Sequence, residues 1–193
     1  MLKNIWEFFK IVFISLLIIL PIRYFIIQPF YVKGASMEPN FHDREYLIID
    51  EISFRFEKPE RGQVLVFRYP QNPQEYFIKR LIALPGETIE FVDGKIRIYN
   101  RENPEGFILD ESRYLSDSVK TYSNEEQKID IGVNEYFVLG DNRYSSKDSR
   151  IFGPIDKSFV TGKVILRAWP FSRFKFFSYD DVYFDDYDEA YDD

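Results

Sequence analysis

The sequence contains no cysteine and a single histidine, His42. The absence of cysteine excludes disulfides, zinc-thiolate sites and a cysteine nucleophile, and it leaves the redox compartment undetermined. One histidine excludes a cluster of histidine ligands. We therefore predict no bound metal and no cofactor, and few side chains remain that could act as a general base.

A surplus of basic residues is also missing, since the formal net charge is -7. Every charged residue of 178–193 is acidic, so the remainder of the chain is close to neutral. A nucleic-acid-binding domain shows a basic face and a high pI, and we therefore expect no nucleic-acid partner. Residues 178–193 have too little aliphatic content to form a core of their own, which predicts an acidic disordered tail.

Aromatic residues, by contrast, are abundant: the chain has 20 Phe and 14 Tyr among its 193 residues. Flat and branched side chains pack well on a pleated surface, so this composition favours strands over helices. Short apolar or alternating runs bounded by Pro, Gly and Asn predict extended segments. They lie at 24–32, 43–50, 64–69, 76–84, 88–99, 135–139 and 159–169. The sequence therefore predicts one mostly β domain.

The connections between these runs differ in kind. Asp93-Gly94 lies between two alternating runs and predicts a tight hairpin whose two turn residues both have positive φ. Residues 101–129 are polar and offer few apolar anchors. We predict a long loop or a small insertion over that stretch.

The N-terminal segment is the most apolar part of the chain. Its uninterrupted apolar run, 11–22, is shorter than the ~20 residues that a helix needs to cross a bilayer core. Extending the run to 5–22 makes a spanning helix feasible if Glu7 and Lys10 reach the headgroups and Trp6 lies in the interface. A cleaved signal sequence would need small residues directly after the run, but large side chains stand there. We therefore predict one uncleaved transmembrane helix at 5–22.

Ser36 lies in the stretch 32–40, shortly after this apolar segment, and is the candidate nucleophile. Serine is a weak nucleophile unless a neighbouring base takes its proton. His42 is one candidate base, although a solvated loop histidine fits the same pattern. Lys79 is the other, because burial disfavours the ammonium and lowers the lysine pKa towards neutrality. Because side chains alternate along a strand, the run 76–84 puts Lys79 on the apolar face. The alternative is that Lys79 lies on an edge strand and its amine extends into water.

A third polar stretch, Gly140–Arg150, directly follows the run 135–139. It is dense in Gly, Asn, Asp and Ser, whose side chains bond to the local backbone and fix irregular loops. One interpretation of this composition is a structural turn. The other is a functional loop in which a hydroxyl, such as that of Ser146, orients the lysine amine and Asp–Arg pairs hold the loop in place.

These three stretches, in this order, resemble the motifs of the bacterial type I signal peptidases (leader peptidases) with a single anchor. The nucleophile motif G-x-S-M-x-P is 34–39 here, the lysine motif is 76–87, and the motif G-D-N-R-x-x-S-x-D-S-R is 140–150. The resemblance extends from the N-terminal apolar segment to about Phe171. It implies a catalytic body of coiled antiparallel β-sheets at 23–177, preceded by the transmembrane helix.

The resemblance also implies a role for each matching residue. Ser36 would attack the scissile carbonyl, its backbone N–H would donate to the oxyanion, and Lys79 would act as general base and then as general acid. The supporting residues would be Ser146, which orients the lysine, and the ion pairs Arg80–Asp141 and Arg150–Asp148. Some members place a hydroxyl two residues before the nucleophile as a second oxyanion donor. Gly34 stands there in this chain, so the second donor stays unassigned.

As a whole, the resemblance implies a membrane-anchored serine endopeptidase that removes signal peptides from exported preproteins. Its partners would be preproteins with small residues before the cleavage site and the lipid bilayer, while the sequence leaves the oligomeric state open. Basic residues flank the anchor on both sides and do not settle its orientation. The chemistry implies residues 1–4 in the cytoplasm and the body outside the bacterial cell membrane. Two alternatives are an inactive membrane-tethered β binding module of the same fold and another Ser/Lys endopeptidase of the same clan.

Overall fold

The computed structural model describes residues 2–25, 27–123 and 128–177, and the predicted acidic tail lies outside them. The chain begins with helix α1, Leu2–Phe25, which includes the predicted anchor segment 5–22. Many of the apolar side chains of this helix are exposed. Among the residues that the structure describes, no helix combines the length and the apolar character needed to cross a membrane.

Twelve strands, two short helices and two 3-10 turns follow in the described part of the chain. In chain order the strands are β1 (Ile27–Tyr31), β2 (Tyr46–Asp50), β3 (Val64–Tyr69), β4 (Asn72–Ala83), β5 (Thr88–Val92), β6 (Lys95–Tyr99), β7 (Phe107–Ile108), β8 (Ile129–Asp130), β9 (Glu135–Leu139), β10 (Ile155–Asp156), β11 (Val160–Trp169) and β12 (Lys175–Phe176). The short helices are α2 (Ser53–Phe56) and α3 (Ser149–Phe152), and the 3-10 turns are Lys157–Phe159 and Phe171–Arg173.

The strands form two sheets in which every pair is antiparallel. The larger sheet has eight strands in the order β1-β2-β11-β3-β4-β9-β10, with β12 paired to β11. The smaller sheet has four strands in the order β7-β6-β5-β8. The predicted mostly β fold of antiparallel sheets is confirmed.

In the middle of the chain, the structure contains the turn and the strand that local sequence patterns predict. The β5–β6 hairpin turns at Asp93 and Gly94, whose φ angles of 51° and 78° are both positive as predicted. Strand β9 coincides with the predicted run 135–139. Turn residues and short apolar runs therefore sufficed to locate these two elements.

The predicted boundaries are wrong near the N-terminus of the sheet. The extended segment was predicted at 24–32, but α1 continues to Phe25 and the strand β1 begins only at Ile27. Pro29 is tolerated in β1 because β1 is an edge strand of the larger sheet. The predicted strand 43–50 begins only at β2, because Arg44 has a φ of 69°, which an extended strand does not allow.

Three hydrophobic clusters fill the interior of the part of the chain that the structure describes. The first joins the smaller sheet to β4 and β9 through side chains such as Ile96 and Phe137. The second covers the face of the larger sheet formed by β2, β3 and β11 and includes Met37 and Phe41, each 1% exposed. The third lies on the opposite face of β3, β4 and β9. Burial of the two large side chains after Ser36 fixes the turn that carries it.

The segment predicted as a long loop, 101–129, is partly structured. It contains β7 and the first residue of β8, and its Leu109 and Tyr114 side chains are buried. The guanidinium of Arg80 lies 4.0 Å from the centroid of the Tyr114 ring. The segment therefore packs against β4, the strand that carries the candidate base.

Candidate active site

The turn after β1 carries Ser36. Gly34 has a φ of 85°, a conformation that is costly for a residue with a Cβ, and its N–H donates to Asp43 Oδ1 at 2.8 Å. Beyond Ser36, the Phe41 N–H donates to the Met37 carbonyl at 2.9 Å, and both of these side chains are buried. Ser36 itself is left half-buried in the wall of a cleft.

Lys79 lies on β4 and is only 4% exposed. Its Nζ lies 2.7 Å from Ser36 Oγ and also donates to the Ile78 carbonyl at 2.8 Å. The Phe77 ring lies beside the amine, with its centroid 5.3 Å from Nζ. The fold thus brings together a candidate nucleophile and a candidate base that are 43 residues apart, and the amine is buried rather than extended into water.

Burial lowers the pKa of Lys79 from its ordinary 10.5 to about 8. The main cause is desolvation, because removing an ammonium from water disfavours its charged form. The carboxylates of Asp148 and Asp141 oppose this change, since nearby negative charge favours the ammonium. Burial outweighs them, so near pH 8 a substantial share of Lys79 is a neutral amine able to accept a proton.

A buried bidentate ion pair joins Arg80 and Asp141 next to Lys79 along the chain. Arg80 Nε and Nη2 donate to the two carboxylate oxygens of Asp141 at 2.8 and 2.7 Å, and Arg80 Nη1 donates to the Gly62 carbonyl at 2.7 Å. Asn40 Nδ2 donates to the same carboxylate at 2.8 Å. Forked guanidinium–carboxylate pairs are strong and directional. This pair ties β4 to the loop that follows β9.

The second predicted ion pair joins two residues of that same loop, Asp148 and Arg150. Arg150 Nε and Nη2 donate to the two carboxylate oxygens of Asp148, both at 2.8 Å. Asp148 is fully buried, accepts from the Gly140 N–H at 3.0 Å and caps the first turn of α3. A carboxylate with this many donors holds the whole stretch 140–150 in one conformation.

Gly140 lies directly against the nucleophile turn. A Cβ at this position would lie 2.4 Å from the Ser36 carbonyl oxygen and 2.2 Å from Ser146 Oγ, so only glycine allows the approach. Ser146 Oγ is buried and has no hydrogen-bond partner among the described residues. The hydroxyl predicted to orient Lys79 therefore lies beside the turn without bonding to the amine, and the Ile78 carbonyl accepts from the amine instead.

Sequence reasoning misses two asparagines that hold the site. Asn142 donates its N–H to the Ser36 carbonyl at 3.0 Å and its Nδ2 to the Ala35 carbonyl at 3.1 Å. The position of Asn142 next to Asp141, within the third motif, could have indicated that it supports the site. Asn40 carries no such signal, because its two acceptors lie 74 and 101 residues further along the chain.

His42 lies near Glu38 rather than near the nucleophile. Its Nδ1 is 3.5 Å from Glu38 Oε1, and the two side chains are 42% and 40% exposed. The hydrogen-bond partner of Ser36 Oγ is Lys79, so the geometry favours lysine over histidine as the base. Among the described residues, no cluster of three or more metal-ligating side chains occurs.

A cleft of about 610 Å³ opens beside Ser36 and Lys79. One wall consists of β1 and the residues after it, and the other is the middle of β4. Within the described residues, β1 pairs only with β2, and β4 pairs with β9 only from Arg80 onwards. Both walls therefore offer a strand edge with unpaired backbone groups. The Phe30 and Tyr76 rings meet with centroids 5.1 Å apart.

Comparison with known proteins adds an independent observation. The sequence matches the family model of signal peptidase, peptidase S26, over residues 5–169. A signal peptidase IB of Staphylococcus aureus (strain MRSA252) is 33% identical over 184 residues, covering 91% of this chain and 95% of that protein. A signal peptidase I of Leptolyngbya laminosa is 32% identical over 174 residues, covering 86% and 81%. A solved signal peptidase I of Enterococcus faecalis V583 is 34% identical, covers 55% of this chain and 97% of that chain, and gives a TM-score of 0.44.

Proposed function

The chain belongs to the signal peptidase family, peptidase S26, and is therefore a serine peptidase; we propose that it cleaves signal peptides from exported preproteins with a Ser36/Lys79 dyad. The observation that carries this proposal is the 2.7 Å distance between Lys79 Nζ and Ser36 Oγ. A buried lysine with a lowered pKa, in contact with a serine at a cleft, meets the requirements for an activated nucleophile. The rival inactive binding module would have no need for such a pair.

In the proposed reaction, neutral Lys79 accepts the hydroxyl proton of Ser36 as Oγ attacks the scissile carbonyl carbon. The Lys79 ammonium then gives its proton to the leaving amine, and an ester to Ser36 remains. Water, deprotonated in turn by Lys79, hydrolyses the ester and regenerates both groups. One buried amine thus serves as base and acid in both half-reactions.

The oxyanion would be stabilised from the nucleophile turn. The Ser36 N–H is the donor we propose, and Asn142 supports it by bonding the Ala35 and Ser36 carbonyls. The Gly34 N–H is engaged by Asp43 and is therefore not the second donor. The ion pairs Arg80–Asp141 and Arg150–Asp148 act as supports that keep the loop 140–150 against this turn, while Ser146 supports the site by packing beside Gly140.

Substrate would bind as an extended strand in the cleft. The edges of β1 and β4 offer backbone donors and acceptors on the two walls, and strand addition is a common way to bind peptides. Apolar side chains line the space near the dyad, among them Val66 and Ile78. We propose that they form shallow pockets for small side chains at the first and third positions before the cut.

Peptide cleavage tests the substrate class. A synthetic preprotein segment with Ala at the first and third positions before the cut is expected to be cleaved with a kcat/KM about 100-fold higher than a matched segment with Leu at both positions, because larger side chains would overfill the pockets. The products are identified by mass spectrometry in detergent with the full chain. Equal cleavage of both segments would contradict the proposed specificity, and cleavage of neither would contradict the function.

The lowered pKa of Lys79 predicts the pH dependence of the reaction. Only the neutral amine can accept the Ser36 proton, so kcat/KM should fall about tenfold for each pH unit below the Lys79 pKa of about 8. The profile is expected to rise from pH 5 and level off above that pKa. A rate that rises only near pH 10.5, the ordinary lysine value, would show that Lys79 is not the desolvated base.

Although the described part of α1 does not qualify as a membrane span by length and apolar character, we also propose that α1 is the single membrane anchor, with Glu7 and Lys10 reaching the headgroups, and that the body contacts the outer lipid leaflet. A helix of 24 residues is about 36 Å long, and the hydrocarbon core is ~30 Å thick. A row of exposed aromatic side chains runs across the larger sheet at Tyr31, Tyr46 and Trp169, next to Phe171 and Phe174. Aromatic rings favour the interface between lipid and water, so this surface suits a substrate presented at a membrane.

Protease protection tests the proposed topology. Residues 1–4 are expected in the cytoplasm of a bacterial cell and the catalytic body outside it. Protease added to intact spheroplasts should therefore digest the body, while a cytoplasmic marker survives. A body that survives until the spheroplasts are lysed would contradict this orientation. Recovery of the chain in the soluble fraction after lysis without detergent would contradict the anchor.

A further inference from the structure

One exposed lysine of the cleft has no part in the proposed reaction. Lys147 lines the cleft together with Ser36 and Lys79, and its side chain is exposed. It lies in the loop 140–150, which follows β9. Among the described residues, its amine has no ion-pair partner and lies over the Tyr69 ring, 4.4 Å from the centroid. The charge of Lys147 is therefore available to a molecule bound in the cleft.

Two stacked aromatic rings place the Lys147 amine on one face of β4. Tyr69 is buried, and its ring stacks on Phe77 with centroids 4.5 Å apart and 10° between the ring planes. The centroid of the Phe77 ring lies 5.3 Å from Lys79 Nζ. A lysine ammonium is attracted to the face of an aromatic ring, so Tyr69 holds the amine of Lys147 in place. Lys147 thus lies on the face of β4 that carries Phe77 and Lys79.

The side chains proposed to contact the first and third substrate positions lie on the opposite face. Val66 and Ile78 pack in the second hydrophobic cluster, whereas Phe77 packs against the third, on the other side of the sheet. Side chains of a strand alternate between the two faces. A substrate strand added along β4, with its first and third side chains towards Ile78, therefore turns its second side chain towards the face of Phe77 and Lys147. This step rests on the proposed function.

The described lining of the cleft carries a surplus of positive charge during the reaction. Its charged side chains are Lys33, Glu75, Lys79 and Lys147. Lys79 reacts as a neutral amine, so two lysines remain against the one carboxylate of Glu75, which accepts from Asn72 Nδ2 at 2.8 Å. We propose that Lys147 recognises an acidic side chain at the second position before the cut and thereby determines specificity at that position.

The size of the expected preference follows from the exposure of Lys147. An exposed ion pair changes an affinity by at most about fivefold. Contact with the Tyr69 ring orders the lysine amine before substrate binds, which reduces the entropy that the ion pair loses. We therefore expect Glu at the second position to give a kcat/KM about threefold above that of Gln. Lys at that position replaces attraction by repulsion, so Glu should exceed Lys by about tenfold.

Cleavage of three matched segments by the full chain in a neutral detergent tests this recognition. The segments share Ala at the first and third positions before the cut and carry Glu, Gln or Lys at the second. Lys147→Gln should give equal kcat/KM values for Glu and Gln, and Lys147→Glu should favour Lys over Glu. These differences are measured at about 0.01 M salt, where the Debye length is ~30 Å. At about 1 M salt the wild-type preference should nearly disappear, because the Debye length falls to ~3 Å.

Two further lysines serve as controls for the lost charge. Lys157→Gln removes an exposed lysine outside the cleft and should keep the wild-type ratio of Glu to Gln cleavage. Lys33→Gln removes the other exposed lysine of the cleft lining and should keep most of that ratio.

The recognition by Lys147 is overturned if Lys147→Gln keeps the wild-type ratio, or if Lys33→Gln removes as much of it. Equal cleavage of all three segments by the wild type would also overturn it, while leaving the proposed function intact. Cleavage of none of them would contradict the proposed function itself, and with it the recognition that rests on it.

Discussion

Replacing Ser36 with Ala, or Lys79 with Met, is expected to lower kcat/KM by on the order of 10⁴-fold or more. Ser36→Ala removes the atom that attacks, and Lys79→Met keeps the apolar stem but removes the amine that lies 2.7 Å from Oγ. Groups that act as one unit are not additive, so the double variant should be no slower than the slower single variant. The measurement is cleavage of the Ala-bearing segment at a pH above the Lys79 pKa.

The matched control is Lys157→Met, which removes an exposed lysine from a 3-10 turn. It should retain normal cleavage, which excludes an effect of lost positive charge alone. Retention of normal activity by either Ser36→Ala or Lys79→Met would reject the dyad. If the two losses multiplied in the double variant, the two residues would be acting independently rather than as nucleophile and base.

Stability separates loss of catalysis from loss of folding in the Lys79→Met variant. The folded pKa of Lys79, about 8, lies below its ordinary 10.5, so between these values the unfolded chain binds more protons and the free energy of unfolding of the wild type rises with pH. Below pH 8 the amine is charged in the folded protein, and its burial lowers the free energy of unfolding of the wild type by roughly 3 kcal/mol. Lys79→Met should therefore be more stable than the wild type by that order below pH 8, with the difference shrinking towards pH 10.5. A destabilised variant would contradict this account of the buried amine.

Replacing Asp141 with Ala is expected to reduce the free energy of unfolding by about 3–5 kcal/mol. The substitution leaves the Arg80 guanidinium, 4% exposed, without its carboxylate, and an unpaired buried charge is costly. It also removes the acceptor of Asn40 Nδ2. Denaturant unfolding of the full chain in detergent measures the change.

Two comparisons show whether the effect comes from the buried charge. Glu57→Gln breaks the more exposed pair with Lys163 and should change the free energy of unfolding by less than about 1 kcal/mol. Arg80→Met together with Asp141→Leu removes both charges, so it should recover much of the stability lost in Asp141→Ala. Equal losses from Glu57→Gln and Asp141→Ala would contradict the assignment of Arg80–Asp141 as a buried support of the site.

Local patterns were sufficient where one residue type allows one conformation. The Asp93-Gly94 turn follows from turn chemistry, and β9 follows from a short apolar run. The strand start at β2 was missed because the positive φ of Arg44 has no sequence signal for that residue type. Likewise, the polar composition of 101–129 concealed Tyr114, which packs against the guanidinium of Arg80 on β4, a contact that the local sequence does not indicate.

The sequence by itself determined which groups could do chemistry: with no cysteine and one histidine, the candidates were Ser36 as nucleophile and either His42 or Lys79 as its base. It also supplied the pairs Arg80–Asp141 and Arg150–Asp148 through motif resemblance. Only the tertiary structure decided that Lys79 meets Ser36, because the contact depends on pairing between strands distant in the chain, and that burial sets the Lys79 pKa near 8. Tertiary packing likewise decided that the Ile78 carbonyl, rather than the Ser146 hydroxyl, accepts from the amine, since sequence spacing carries no information on where a side chain ends.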